Sequence, residues 1–337
     1  MRIWFNRGFS LAPIAKAMMA ADPTLEVFVS TGAGLPIYEG PTQTWVEPKL
    51  DDQAYLDWVC SQITEHAIDV FVPTARRHLF ASADMPCKVH LPADIPTLDL
   101  LEDKFLFAKE LEADEIHLPT ICAQTKGELV EILAEFRAAY PDIDPCVKPR
   151  LGVNGHGFWT LSKTVSPLAH LMNPDARRIR EDLFIAALAA EEEEERVIRP
   201  LVLMPFLPGP EVSFDVLAHR GAILKYVART KEGTRQRLQT SHPLEAAAKA
   251  LVDRFSLHGI VNVQFRRAED ASWKALEINS RPAGGSVYGE PFGTQLIGDW
   301  GGLLSGRLAP EQVSKPTLDL NLEMATGLRE LSSKRAA

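Results

Sequence analysis

The stretch P-C-V-K-P-R-L-G-V-N-G-H-G-F-W, residues 145–159, decides how the chain is read. An apolar run delivers Lys148, and Gly152, Gly155 and Gly157 then fall within six residues before the chain resumes as F-W-T-L. Glycines let backbone N–H groups approach a ligand closely and adopt positive φ, so a glycine-rich turn beside a lysine is a phosphate cradle in physical terms. The lysine precedes the glycines and no Lys-Ser/Thr pair opens a helix, which excludes a Walker P-loop. Taken alone, the segment is equally a tight hairpin.

Toward the C-terminus, residues 259–285 read G-I-V-N-V-Q-F-R-R-A-E-D-A-S-W-K-A-L-E-I-N-S-R-P-A-G-G. Strand alternation places Asn262 and Gln264 on one face, and Glu277 and Asn279 on one face of the next strand. A turn around Glu269 and Asp270 makes these strands a hairpin whose polar faces converge. Oxygen donors from Gln, Glu and Asn suit a hard cation such as Mg²⁺, which keeps some waters and takes its other ligands from phosphates. Arg281 follows closely enough to neutralise phosphoryl charge. A solvated hairpin is the plain alternative.

Toward the N-terminus, residues 2–5 and 25–30 read as strands around a helix near 10–20, and a helix near 53–66 runs into the strand I-D-V-F-V-P. This β-α-β alternation predicts a parallel, doubly wound sheet with its ligand crevice at the carboxyl ends of the strands, where Asn6, Gly8 and Ser10 fall. No G-x-G-x-x-G follows the first strand, so a dinucleotide site is poorly supported. Pro86, Pro92 and Pro96 mark a boundary, and helices follow at about 103–113 and 126–139. Beyond them, runs such as L-V-L-M-P-F-L, V-S-F-D-V-L and A-I-L-K-Y-V-A predict an antiparallel sheet, so the second unit reads α+β. The glutamates 191–195 close a helical pattern and read as a solvated face.

The 337 residues predict two units, and 46% hydrophobic with 24% charged residues is the balance of a folded globular chain. A formal charge of −9 argues against a global electrostatic grip on nucleic acid or on an anionic membrane. Cys60, Cys87, Cys122 and Cys146 are widely spaced with no C-x-x-C pair, as expected of reduced thiols rather than a zinc site. No signal-peptide pattern and no apolar run of membrane-spanning length is present, so the expected location is the cytoplasm.

The order of elements resembles the ATP-grasp superfamily, particularly the ATP-binding unit of carbamoyl-phosphate synthase large subunits in a short, stand-alone form. The elements that carry it are a lysine with a glycine loop, an apolar run ending in G-P-E, then N-V-Q-F and L-E-I-N-S-R. The resemblance covers about residues 100–305. It implies a Rossmann-like domain over 1–95, an ATP-grasp domain over 96–310 and a tail over 311–337. By position, Lys104 and Lys148 match the cations on the α- and β-phosphates, and Gly152, Gly155 and Gly157 match the loop that closes over them. Met204, Pro205, Phe206 and Leu207 match the hinge that reads adenine, and Glu211 matches the ribose carboxylate. Gln264, Glu277 and Asn279 match the metal ligands, while Arg281 and Asn262 match groups near the γ-phosphate. Met204 stands where many members have glutamate, Gln264 where many have an acid, and His156 in the loop matches no role.

The resemblance further implies an ATP-grasp ligase forming C–N bonds. It would use ATP with Mg²⁺, or Mn²⁺ in its place, on a small-molecule carboxylate and an amine through an acyl phosphate. No nucleic acid or membrane partner is expected, and a homodimer is allowed. Two other readings stay open: bicarbonate activation of the carbamoyl-phosphate-synthase kind, and a non-catalytic ATP-binding regulatory protein. The cationic stretch 229–237 reads as a solvated loop, or as a source of one arginine, most plausibly Arg229, for an acyl phosphate or substrate carboxylate.

Overall fold

The computed structural model describes residues 1–8, 10–35, 39–152, 155–323 and 325. Three sheets organise the chain. The first is built from β1 (Arg2–Asn6), β2 (Glu26–Gly32), β3 (Gln43–Glu47), β4 (Val70–Pro73) and β5 (Lys88–Val89), all parallel, in the order β3-β2-β1-β4-β5. Helices α1 (Leu11–Ala21), α2 (Asp52–Glu65) and α3 (Arg77–Ala81) connect its strands. The period-2 alternation of β1 sends Ile3 and Phe5 into a core with Leu11, Ile14 and Met18 of α1, and Trp4 into the opposite core with Tyr55 and Val59 of α2. Both faces are covered, as a parallel sheet requires.

Helices α4 (Ile95–Glu102) and α5 (Lys104–Glu110) lead out of this unit. Asp103 separates them and caps α5, its Oδ1 accepting from the backbone N–H of Phe105 (3.0 Å) and Leu106 (3.1 Å). The second sheet contains β6 (Ile121–Ala123), β7 (Pro145–Pro149), β8 (Trp159–Ser162), β9 (Arg178–Arg180) and β10 (Leu201–Pro205), in the order β6-β10-β7-β8-β9. Only β8 and β9 pair in parallel. Helices α6 (Lys126–Ala139), α7 (Ala169–Met172) and α8 (Glu181–Glu193) belong to this part of the chain, and α6 and α8 bury one face of the sheet. The glutamate run ends α8 and is exposed, with Arg196 paired to Glu191 and Glu194.

The third sheet is antiparallel throughout, in the order β15-β14-β11-β12-β13-β16. Its strands are β11 (Glu211–His219), β12 (Ala222–Glu232), β13 (Arg235–Gln239), β14 (Gly259–Arg267), β15 (Trp273–Asn279) and β16 (Asp319–Glu323), with α9 (Glu245–Arg254) against one face. The cationic stretch 229–237 is therefore not a solvated loop but the end of β12, a turn and β13. Its charges are paired: Arg235 with Glu323 and Arg237 with Asp319, across the strand that residues 319–323 add to the sheet.

Helix α10 (Leu296–Leu304) returns to the first sheet and packs on α1. A Cβ at Gly298 would come within 2.6 Å of the Ala21 methyl, and one at Gly301 within 3.2 Å of Leu25, so small residues set the approach of the two helices. Leu296, Ile297, Trp300 and Leu304 thereby complete the core under β1, together with Leu217 and Ile260 from the third sheet. Among the described residues no helix is long and apolar enough to cross a membrane.

Where the first and third sheets meet, three imidazoles cluster, one pair tilted and the other edge-to-face. The ring centroids of His90 and His258 are 4.9 Å apart, and those of His219 and His258 are 5.0 Å apart. Nε2 of His90 and Nδ1 of His219 and His258 have no hydrogen-bond partner among the described residues. Burial pushes His90 down to about 3, helped by His258 and Lys88. It pushes His258 down to about 4, helped by His219, Arg220 and Lys88. The unfolded chain binds protons at these sites from about pH 6.5 downward while the fold does not, so stability falls as pH drops from about 6.5 toward 4. Urea midpoints measured across this window are expected to fall less steeply for His90→Asn and His258→Asn than for the native chain. An unchanged slope would show that the imidazoles do not carry the effect.

Candidate active site

A cavity of about 680 Å³ opens between the second and third sheets. Its first wall comes from β7 and β10. These strands pair with Lys148 opposite Val202 and Cys146 opposite Met204, and alternation along β7 turns Cys146 and Lys148 to the same side, away from Val147, which is buried with α6. Lys104, the first residue of α5, reaches the same space and its ammonium donates to the Gly152 carbonyl at 2.7 Å. Burial lowers the Lys104 pKa, Lys148 lowers it further, and Glu277, Asp103 and Glu102 oppose the shift. Two amines in a partly dry cleft repel, and an anion between them relieves both penalties.

Gly152, Gly155 and Gly157 have φ of +148°, +64° and +74° and connect β7 to β8. Val153 and Asn154 between them lie outside the described residues. Gly155 lines the cavity beside Phe158 and Arg177, and His156 is exposed.

At the far end of this wall, Met204, Pro205, Phe206 and Leu207 all line the cavity. The Phe206 N–H is taken by the Asp144 carbonyl at 3.0 Å, while the Leu207 N–H has no partner among the described residues. Glu211, at the start of β11, also lines the cavity and is held by the Lys231 ammonium. Lys231 and Arg266 are cleft residues that sequence reasoning missed. Strand spacing carries the signal for both, since Lys231 is two residues from Arg229 and Arg266 two from Gln264. Arg177 also faces the cleft and has no comparable sequence signal.

The opposite wall is the β14–β15 hairpin. Asn262 stands opposite Asn279 and Gln264 opposite Glu277 in the register, so the four polar residues do converge. A bulge follows: Phe265 pairs with Ala275, which leaves Leu276 unpaired and lining the cleft next to Glu277. The amides are oriented by one another. Gln264 Nε2 donates to Asn262 Oδ1 at 2.7 Å, and Asn279 Nδ2 donates to Glu277 Oε1 at 2.9 Å. The Gln264 and Asn279 amide oxygens and Glu277 Oε2 are left as acceptors. Among the described residues no three His, Cys, Asp or Glu side chains gather as a metal group. The donor set is one carboxylate and two carboxamides, which suits a hard cation that completes its shell with water and phosphate oxygens.

Arg281 lines the cavity, and burial lowers its pKa against the opposing charges of Glu277 and Glu102. Asn262 and Arg229 do not line it. Asn262 is fully buried and donates to Asp215 Oδ1 at 2.9 Å, and Arg229 is 3% exposed with its Nε on Asp215 Oδ2 at 2.5 Å. Ser286 Oγ donates to the same Asp215 Oδ1 at 2.7 Å, so one buried carboxylate ties the hairpin to the segment that follows Arg281. Burial pushes the Cys146 thiol up to about 12, eased by Lys148 and Arg266, so it is no nucleophile at neutral pH.

A second cavity, of about 320 Å³, adjoins the first and shares Lys104, Glu277, Asn279 and Arg281 with it. Gly8, Thr74 and Arg77 of the first unit close its other side. Buried Arg77, also missed in the sequence, donates to Ser280 Oγ (2.6 Å), the Ser280 carbonyl (2.9 Å) and the Pro73 carbonyl (3.2 Å). It fixes the residue between Asn279 and Arg281. Arg77→Ala is expected to lower unfolding free energy by about 3 kcal/mol, read from urea titration, because charge-assisted bonds to buried groups are lost. A loss below about 0.5 kcal/mol, the scale of a neutral surface change, would contradict this account.

Comparison with known proteins bears on the fold. Residues 197–327 match a family model described as ATP-grasp in the biosynthetic pathway with Ter operon. No curated protein matches the sequence. Among solved structures, N5-carboxyaminoimidazole synthetase from Staphylococcus aureus aligns at 14% identity and a TM-score of 0.60, over 90% of this chain and 77% of that one. An L-amino acid ligase from Bacillus licheniformis aligns at 15% and 0.60, over 90% and 75%. A biotin carboxylase from Campylobacter jejuni aligns at 12% and 0.62, over 95% and 74%. At these identities the likeness shows the fold, which is the ATP-grasp fold with a Rossmann-like unit before it.

Proposed function

We propose that this chain is an ATP-dependent carboxylate–amine ligase of the ATP-grasp superfamily, working through an acyl phosphate. The observation that carries the reading is the meeting, across one cavity, of the Lys104–Lys148 pair with the Gln264, Glu277 and Asn279 oxygens. Adenine would lie along Met204–Leu207, with the unpartnered Leu207 N–H as a donor, and the ribose hydroxyls would bond Glu211. Lys104 and Lys148 would hold the phosphates, with the glycine turn over them. Gln264, Glu277 and Asn279 would hold Mg²⁺, which when bound spreads the charge of the transferring phosphoryl group.

The carboxylate would enter the smaller cavity and attack the γ-phosphorus near Arg281. A P–O bond to the acid forms, the bond to ADP breaks, and ADP leaves with the electron pair. The amine would then attack the acyl carbon, giving the amide and inorganic phosphate as the amine loses a proton. Placed cations and fixed geometry supply the catalysis, with no covalent enzyme intermediate. Asn262 would act by aiming the Gln264 oxygen, and Arg229 by holding Asp215.

Purified protein with MgATP, hydroxylamine as the amine and a panel of carboxylic acids is expected to release ADP and form a hydroxamate. Glu277→Ala is expected to reduce this at least 100-fold. ATP binding without acid-dependent ADP release, and a Glu277→Ala protein indistinguishable from the native one, would favour a regulatory nucleotide binder. ADP release that depends on bicarbonate alone would favour carbamoyl-phosphate chemistry.

A further inference from the structure

The strand order β3-β2-β1-β4-β5 reverses direction between β1 and β4, and an open parallel sheet takes its ligands outside the carboxyl ends of such a pair. Two arginines stand at that point in the left-handed region: Arg7, one residue past β1, with φ +37°, and Arg76, three past β4, with φ +51°. Such conformations are strained and persist where surrounding structure imposes them, most often at ligand sites. Both guanidinium groups lie over the Tyr55 ring, Arg76 at 4.5 Å and Arg7 at 5.8 Å from its centroid.

Their hydrogen bonds leave donors over. Arg7 uses Nε on Glu47 at 2.5 Å, and Arg76 uses Nη1 and Nη2 on the Leu50 carbonyl at 3.1 Å. Arg7 Nη1 and Nη2 and Arg76 Nε have no partner among the described residues, and the side chains are 34% and 29% exposed. Of the acids nearby, Glu47 is buried against Arg7, Asp52 is 3.5 Å from Arg76, and Glu102 is 3.6 Å from Arg77. The next residues in the chain, Gly8 and Arg77, line the smaller cavity, which extends to Glu277 and Arg281.

We propose that this crevice binds a second anionic group on the carboxylate substrate, so that the acid is a small dianion reacting at Arg281 and anchored at Arg7 and Arg76. The inference rests on the ligase reading of the adjoining site. Guanidinium pairs suit carboxylate and phosphate alike, so dicarboxylates and phosphorylated carboxylic acids share the required chemistry. The adjoining cavity of about 320 Å³ has room for a small acid.

The test uses the full chain with MgADP or MgATP and matched acids: succinate against butyrate, L-aspartate against L-2-aminobutyrate, O-phospho-L-serine against L-serine. Binding to the MgADP complex is measured by calorimetry, and turnover as hydroxamate with hydroxylamine. At least one acid with the second anionic group is expected to bind at least tenfold tighter than its partner with a single carboxylate. Arg76→Gln is expected to remove that preference while MgADP affinity stays unchanged. Arg7→Lys, which keeps the charge opposite Glu47, is expected to weaken the dianion about threefold, so the inference remains testable if a neutral residue at position 7 prevents folding. The pair that responds separates a dicarboxylate from a phosphorylated acid.

Equal affinity within every pair, no binding of any dianion, or a preference untouched by Arg76→Gln would overturn the inference. Hydroxamate formed equally well from monoanions would overturn it and leave the ligase reading standing. Arginine-dependent dianion binding with no hydroxamate from any acid would sink the ligase reading and leave the anion site.

Discussion

Everything at the site depends on the register between β14 and β15. With Asn262 opposite Asn279 and Gln264 opposite Glu277, four polar side chains share one face while Val263, Phe265 and Ile278 fill the core behind them. A slip of one residue would send the polar set into that core and the apolar set into the cleft. The buried residues pin the register from below and the Leu276 bulge ends it from the side, so oxygen placement is a by-product of hydrophobic packing. Within the polar face Gln264 and Asn279 each spend an amide N–H on a neighbour, which leaves their oxygens as acceptors toward the cleft.

A second layer holds this face in place. Asp215 on β11 accepts from Asn262, Ser286 and Arg229, three residues far apart in the chain and all buried. A buried carboxylate is tolerated only when its acceptor sites are filled, and here filling them fastens β12, β14 and the loop after Arg281 to one atom group. From the other side Arg77 grips Ser280, so the segment carrying Arg281 is tied to both the third sheet and the first unit.

The parts of this arrangement legible in the sequence are those set by local period. Ile3–Trp4–Phe5 alternate to opposite cores, and α6 falls on the expected residues 126–139, because strand and helix periods are written within a few residues. The convergence of Gln264 and Glu277 is legible because a short turn leaves one natural pairing. Residues 229–237 were not, because their charges resemble a solvated loop until Glu323 and Asp319 are seen arriving from nearly ninety residues away. Arg229 and Asn262 illustrate the same limit: motif position puts them near the chemistry, but whether they face the cleft or lie beneath it depends on Asp215, on a different strand. Arg7, Arg76 and Arg77 follow strands that the sequence shows plainly, yet their importance appears only once the sheet order places β1 beside β4.

The return of α10 to the first sheet has a consequence for how the molecule is made. Residues 2–89 emerge well before α10 during synthesis, so the core beneath β1 lacks Leu296, Ile297, Trp300 and Leu304 until the second sheet and most of the third have been produced. The face of α1 that carries Met18 and Ala21 must wait uncovered for that helix. A unit that looks self-sufficient in its strand order is therefore completed only after the second sheet and most of the third have been made, and the contact at Gly298 and Gly301 closes it across that intervening chain.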